Sequence, residues 1–401
     1  MAIRAIIGSL PVNLLAAAAG LAGTLVIAWF FGPAVFAVYT INISKLAIVL
    51  LGLELLPSSF SIYHMQHDPR FAAAMPLFFL LFAGLAAAIC ALLIAIGYID
   101  EASWAMLLYV VLAVSQRYFD NYLQAEGKVP AFLWIPAIGN SVRLLVLVAL
   151  VELSPGLAAP DVLWISLAAG MVVGQLYAAL RFPAAPRALA SSLHRSSAAI
   201  LWAQRRNYYP HYLNSILRRL RDVALPLFVD TFMADKAAAG RFFLYFRAVE
   251  FACAQVRMIE AFMVNLELRS ALQPHRMKLL ASAVILGQLA TVTIALGLLY
   301  RDGVTWQTAA LAAAISLFLI PYVIELYMRS LALAAFEPTK VTASMVVNLV
   351  SVLVLLGIFH AIGRLEVGTL IAAVVISQAL SAATYFLPGI GKRALAPRRR
   401  A

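Results

Sequence analysis

The dominant feature of this sequence is a series of apolar stretches, most longer than about 20 residues, that recur from one end of the chain to the other with short polar breaks. A helix of about 20 residues spans the hydrocarbon layer of a membrane, and in lipid only helices or closed barrels satisfy their own backbone groups. Charged residues make up only 12% of the chain, about half the share found in soluble domains. The sequence therefore predicts an all-α integral membrane protein.

The apolar stretches predict about twelve transmembrane helices. The run at 5–31 is longer than the apolar core of a cleaved signal peptide, so we interpret it as the first span. The spans are expected at residues 5–31, 35–60, 72–98, 102–124, 131–152, 162–181, 207–231, 239–266, 278–300, 306–332, 342–362 and 367–388.

The charge of the connections supports this number, because one missed helix would invert the side assigned to every later loop. Most Lys and Arg residues outside the spans fall in alternate connections and at both ends of the chain. The other side holds only four of these basic residues, Lys236, Arg241, Arg301 and Arg364, and it also carries acidic residues, among them Asp100, Glu101, Asp161 and Asp235. Because basic loops stay on the cytoplasmic side, both termini are predicted to be cytoplasmic.

The longest connection is basic and rich in Ala and Ser, and it divides the spans into two sets of six. We predict an N-terminal six-helix bundle at 1–181, a cytoplasmic linker at 182–206, a C-terminal six-helix bundle at 207–388 and a basic tail at 389–401. Weak similarity between the first hairpin and the seventh and eighth spans predicts two bundles related by a parallel pseudo-two-fold axis.

Charged residues inside the spans are the main candidates for function, because a charge in the bilayer normally faces a partner or a polar cavity. Some have an opposite charge three or four positions away, as Glu325 has in Arg329, and are interpreted as local ion pairs. Lys45 and Arg143 have no acidic residue at that spacing. The basic residues that we predict to line a cationic cavity are Lys45, Arg143, Arg218, Arg221, Arg247 and Arg257.

Glu54 and Glu250 are candidates for coupling to protons or sodium, although balancing a neighbouring Arg is the alternative role for each. No catalytic constellation, metal-binding motif or cofactor motif is recognised, and Cys90 and Cys253 are interpreted as small core residues. The basic residues lie between spans rather than in one patch with aromatic residues, so nucleic acid is not an expected partner.

Three segments resemble the polysaccharide flippases of the multidrug/oligosaccharidyl-lipid/polysaccharide superfamily. They are AGLAGTLVIAWFFGPAVFAVYTI at the first hairpin, YLQAEGKVPAFLWIPAIGNSVRLLVLVALV before and through the fifth span, and RDVALPLFVDTFMADKAAAGRFFLYFRAVE at the seventh and eighth. The chain departs from the family at Trp29, where Arg is frequent, and at Phe31 and Ala37.

This resemblance implies a transporter that moves an undecaprenyl-pyrophosphate-linked oligosaccharide across a bacterial inner membrane for surface polysaccharide synthesis. The implied partners are that lipid-linked oligosaccharide, membrane lipids and other polysaccharide-assembly proteins. Two alternatives remain open. One is a cation-coupled multidrug exporter of the same superfamily, and the other is a membrane enzyme, such as a polymerase or ligase, that acts on lipid-linked sugar.

Overall fold

A computed structural model of the chain describes residues 2–55, 58–154, 156–181, 205–267, 273–300, 303–334 and 338–387. All regular elements in these ranges are helical, so the predicted all-α class is confirmed. The helices are α1 (Ala2–Val49), α2 (Ser58–His67), α3 (Pro69–Ala95), α4 (Ala105–Ala125), α5 (Val129–Leu153), α6 (Ala159–Arg181), α7 (Arg205–Phe232), α8 (Lys236–Glu267), α9 (Gln273–Leu298), α10 (Trp306–Ser316), α11 (Leu319–Ala334), α12 (Pro338–Ala361) and α13 (Val367–Ala383).

Several of these helices have the length and composition of membrane spans. In the described part of the chain, 8 helical segments are long and apolar enough to cross a membrane, and one of them, Pro11–Gly52, has the 42 residues that two crossings need. Helices α4, α7 and α8 have sufficient length but are more polar. The chain is therefore a multi-pass membrane protein, and the number of twelve spans stays a prediction.

The first two predicted spans form one helical segment with a kink. Gly32 has φ 82° and ψ 172°, which breaks the helical backbone of α1 between the two spans. Glycine adopts this backbone conformation without the steric cost that a Cβ brings. Within the second predicted span, α1 stops at Val49 and the tighter 3-10 helix Leu50–Leu55 follows.

The predicted span at 306–332 consists of two helices. Helix α10 ends at Ser316 and α11 begins at Leu319, so Pro321 falls in the first turn of α11. Proline is tolerated there because the first-turn N–H groups have no partner within the helix. In contrast, Pro136 lies inside the continuous helix α5.

The chain separates into two compact units. One contains Met1–Gly32 and Val38–Arg219, and the other contains Pro33–Ala37 and Leu220–Ala401. The division falls within α7, downstream of the predicted linker, and residues 182–204 of that linker lie outside the described ranges. The domain boundaries predicted from the sequence therefore remain predictions.

Helices α5 and α6 of the first unit pack closely against each other, and glycines permit their approach. A Cβ added at Gly170 on α6 would lie 2.4 Å from the carbonyl oxygen of Gly139 and 2.9 Å from the Cβ of Arg143, both on α5. Small residues at such positions bring helix backbones together, which is the main source of packing energy between helices in lipid. This contact also fixes the segment of α5 that carries Arg143.

We predict that Gly170→Ala lowers the stability of the purified protein by about 1–3 kcal/mol, because the new methyl group overpacks the α5–α6 contact. Thermal unfolding in detergent measures this effect. Gly84→Ala on α3 is the matched control, since a Cβ there meets no atom within 4 Å. An equal loss of stability in both variants would contradict the close-approach explanation.

Candidate functional site: two polar cavities within the helical units

The first polar cavity lies among α4, α5 and α6 and has a volume of about 270 Å³. Most of its wall is apolar, with glycines where α5 and α6 approach each other. Its polar lining residues are Gln116 and Asp120 from α4 and Asn140 and Arg143 from α5. A mostly apolar cavity with a few convergent polar groups is the usual form of a small-molecule binding site.

Arg143 contacts a neutral partner in this unit. Its Nη2 donates to the hydroxyl of Tyr39 at 2.8 Å, and its guanidinium carbon lies 5.8 Å from the centre of the Tyr39 ring. Its Nε is buried and has no hydrogen-bond partner among the described residues. A buried donor without a partner is costly, and an acceptor that enters the cavity would remove that cost.

The other polar residues of the cavity are held by neighbouring groups. Asp120 accepts a hydrogen bond at 2.9 Å from Nε2 of Gln116, one turn earlier on α4. Asn140 donates at 2.8 Å to the carbonyl oxygen of Ala16, which ties α5 to α1. These contacts fix the polar wall around the Arg143 guanidinium.

Lys45 lies apart from this cavity and is compensated across helices. Its side chain is 7% exposed, and its ammonium group lies 3.2 Å from Oδ2 of Asp100 and 5.1 Å from the centre of the Tyr98 ring. Asn42, one turn earlier, donates at 2.6 Å to the backbone carbonyl of Asp100. The acidic partner absent from Lys45's own helix is therefore supplied by the connection between α3 and α4.

In the second unit, a buried carboxylate organises a polar network. Glu325 on α11 is 3% exposed and accepts hydrogen bonds from Ser344 Oγ at 3.2 Å and from Gln378 Nε2. Its Oε1 also lies 3.5 Å from Nη1 of Arg221 on α7. These contacts connect α7, α11, α12 and α13, whereas the sequence suggested only a local pair with Arg329.

Uncharged polar residues extend this network along α12 and α13. Ser344 and Ser381 share a hydrogen bond of 2.8 Å, and Asn348 donates at 3.1 Å to the side-chain oxygen of Gln378. All four side chains are buried. These residues were not among the predicted site residues, which were chosen for their charge within the spans. The sequence did contain one indication of this network. Ser344 and Asn348 are four positions apart, a spacing that places two polar side chains on the same face of a helix.

A second cavity adjoins this network and has a volume of about 90 Å³. Its polar end is formed by Arg221, Asn348 and Gln378. Its remaining wall is largely apolar and includes the aromatic residues Phe228, Phe246, Phe318 and Tyr322.

The other predicted site residues have different positions. Arg247 and Glu250 on α8 form an ion pair at 2.7 Å, with side chains 40% and 42% exposed, so Glu250 balances a neighbouring Arg. Glu250 also lines the second cavity. The predicted residues whose side chains lie outside the described part of the structure are Arg218, Arg257 and Glu54.

Comparison with known proteins identifies the fold. Neither a protein-family model nor a curated protein sequence matches the chain. Among solved structures, the chain is similar to an inward-facing multidrug-resistance MATE family transporter of the MOP superfamily, with 14% identity, a TM-score of 0.62, and coverage of 95% of this chain and 96% of that one.

Two further solved structures agree with this result. The lipid II flippase MurJ, in an inward closed conformation, matches with 13% identity and a TM-score of 0.58 over 95% of this chain and 87% of that chain. A eukaryotic MATE transporter matches with 11% identity and a TM-score of 0.54 over 97% and 98% of the two chains. The protein therefore has the fold of MATE and MurJ transporters of the MOP superfamily.

We predict that Glu325→Ala destabilises the protein by about 3–5 kcal/mol, because it leaves Arg221 without its buried carboxylate and removes an acceptor from Ser344 and Gln378. Thermal unfolding of the purified protein is the measurement. Glu152→Ala, at an exposed position near the end of α5, should change stability by less than about 0.5 kcal/mol. A Glu325→Ala variant as stable as the Glu152→Ala control would rule out this role of the network.

Proposed function

We propose that this protein is a transporter that moves an anionic, pyrophosphate-linked lipid oligosaccharide across a membrane, the function suggested by its resemblance to the polysaccharide flippases. The main support for this proposal is the environment of Arg143. This cation lies within a predicted membrane helix and lines the first cavity, and its buried Nε has no hydrogen-bond partner among the described residues. A planar guanidinium binds phosphate oxygens in bidentate fashion, so a phosphate group suits this position.

The fold supports the same class of function. One of the similar structures is named as a lipid II flippase, and others are MATE transporters, so transport is common to this set of similar structures. A lipid-linked sugar has a charged head that must cross the hydrocarbon layer and a tail that is stable within it. In the proposed mechanism, Arg143 compensates the charge of the head during this passage, and the lipid tail stays in the bilayer.

The remaining predicted cations have distinct proposed roles. Lys45 is compensated by Asp100, so we assign it to holding the α3–α4 connection rather than to first contact with the substrate. Arg221 and Arg247 each have a carboxylate partner, Glu325 and Glu250 respectively. Of the predicted cations whose side chains are described, Arg143 is therefore the strongest candidate for the substrate's phosphate groups.

We predict that Arg143→Ala lowers the rate of lipid-linked oligosaccharide transport by about 10- to 100-fold, the loss expected when one charge-assisted hydrogen-bonding group is removed. Transport is measured with purified protein in lipid vesicles and by surface polysaccharide in a strain whose own copy is deleted. Arg181→Ala is the matched control, because Arg181 also lies over a tyrosine ring, that of Tyr177, but at the exposed end of α6.

Full transport by Arg143→Ala, at a membrane level equal to that of the unsubstituted protein, would refute the role of Arg143. Arg143→Lys separates charge from geometry, since lysine keeps the charge but loses the planar fork. We expect it to transport at an intermediate rate.

Multidrug export is the second candidate, and Asp120 is the observation that favours it. Its carboxylate lines the same cavity as Arg143 and could attract a cationic drug. A drug-susceptibility panel in an exporter-deficient strain distinguishes the two functions. Resistance that depends on Asp120 and is unaffected by Arg143→Ala would favour drug export, whereas loss of surface polysaccharide without any change in resistance would favour the flippase.

A further inference from the structure

A third and wider cavity lies at one end of the second unit, and we call it the outer groove. Its walls are the α7–α8 connection, the first turns of α10 and the α12–α13 connection, which the sequence predicts on the side opposite the cytoplasm. Its volume of about 620 Å³ lies within the range of about 300–1,000 Å³ that is usual for ligand sites. All of its lining residues belong to the second unit, so the outer groove is separate from the cavity that holds Arg143.

Contacts between helices hold the walls of the outer groove in place. Nδ1 of His360, near the end of α12, lies 3.2 Å from the backbone carbonyl oxygen of Phe232 at the end of α7. The Tyr245 hydroxyl on α8 donates at 3.3 Å to the backbone carbonyl oxygen of Thr308 on α10. A capping box between Thr305 and Thr308 fixes the first turn of α10. The groove is therefore formed before a ligand arrives, which lowers the entropy lost on binding.

One wall of the outer groove carries a large aromatic ring that remains in solvent. Trp306, at the start of α10, is 78% exposed, and Ala310 lies one turn later on the same helix face and also lines the groove. An exposed indole offers a flat apolar surface with an N–H donor at its edge. The C–H face of a sugar ring can pack against such a surface while its hydroxyl groups stay free for hydrogen bonds.

The polar groups of the outer groove favour a ligand that donates hydrogen bonds. Asp235 and Glu366 contribute carboxylates and Gln307 contributes an amide, whereas none of the lining residues in the described part of the chain is Lys, Arg or His. The backbone N–H groups of Ala237 and Ala238 donate to Asp235 and fix its position. Ionised carboxylates only accept hydrogen bonds and repel phosphate, so the groove suits the hydroxyl groups of a ligand and excludes its anionic part.

From these features we propose that the outer groove binds the sugar portion of the lipid-linked oligosaccharide. One sugar ring packs on Trp306, and its hydroxyl groups donate to Asp235 and Glu366. This inference rests on the proposed function, because that function supplies a substrate with a sugar chain. It separates recognition of the sugar, in the second unit, from recognition of the pyrophosphate by Arg143 in the first.

The experiment separates the sugar from the pyrophosphate chemically. Mild acid hydrolysis of the lipid-linked oligosaccharide, extracted from a strain whose own copy is deleted, releases the glycan without its pyrophosphate. A fluorescent label at the reducing end then reports binding to the full chain by fluorescence polarisation. The protein is held in lipid nanodiscs, because sugar-headed detergents would compete with the glycan. We expect saturable binding that unlabelled glycan displaces and inorganic pyrophosphate does not.

Three variants test the location of this site. Trp306→Ala should weaken glycan binding about tenfold, since it removes the exposed aromatic surface, and Glu366→Ala should weaken it by a similar factor. Ala310→Trp should abolish binding by filling the groove while leaving its polar groups unchanged. Trp104→Ala is the matched control, because Trp104 is 66% exposed directly before α4, at a connection predicted on the same side of the membrane, and does not line the groove. It should bind glycan as the unsubstituted protein does.

Equal glycan affinity in Trp306→Ala and Trp104→Ala would show that Trp306 only anchors α10 at the membrane surface, and would overturn the proposal. Unchanged binding in Ala310→Trp would refute this location, and displacement of the glycan by tetramethylammonium would show that the carboxylates select a cation. Arg143→Ala, which tests the proposed function, should keep full glycan binding. Transport without glycan binding would refute the outer groove alone, whereas Trp306-dependent binding by a protein that transports no lipid-linked oligosaccharide would refute the flippase function alone.

Discussion

The polar interior of this protein depends on the cost of an ionised side chain inside a membrane helix, which amounts to several kcal/mol unless a partner compensates it. Among the described residues of each unit, this cost is met mainly by contacts between different elements of the chain. Lys45 is compensated from the α3–α4 connection, Arg221 by Glu325 on α11, and Arg143 contacts Tyr39. These contacts also determine which helices can be neighbours, because moving one helix would leave a charge unpaired in lipid.

Arg143 and Arg221 illustrate how different partners produce different chemistry from the same side chain. Arg221 lies beside a buried carboxylate that two further donors hold in place, so its charge is already balanced. Arg143 donates a hydrogen bond to the neutral Tyr39 hydroxyl and lies near its ring, and its Nε has no hydrogen-bond partner among the described residues. This asymmetry is the physical reason for assigning the anionic substrate of the proposed function to the first cavity.

The positions of the two cavities follow from helix packing rather than from charge. The first borders the α5–α6 contact, where Gly139, Gly170 and Gly174 bring two backbones together and leave space beside them. The second includes Phe318, in the turn between α10 and α11, and Tyr322, one residue after Pro321. Apolar packing thus provides the cavity walls, and the polar residues determine what each cavity can bind.

The sequence by itself determined the all-α membrane class, the break near Gly32 and the cations within the spans, because hydrophobicity, helix breakers and charge are local properties of the chain. It also identified Arg143 and Lys45 as charges without an acidic residue on their own helix faces. It did not identify Asp100 as the partner of Lys45, or Glu325 and Gln378 as the centre of a network with Arg221. Only the tertiary structure decided these pairings, because they join residues between 53 and 104 positions apart, and no spacing along one helix encodes a contact with another.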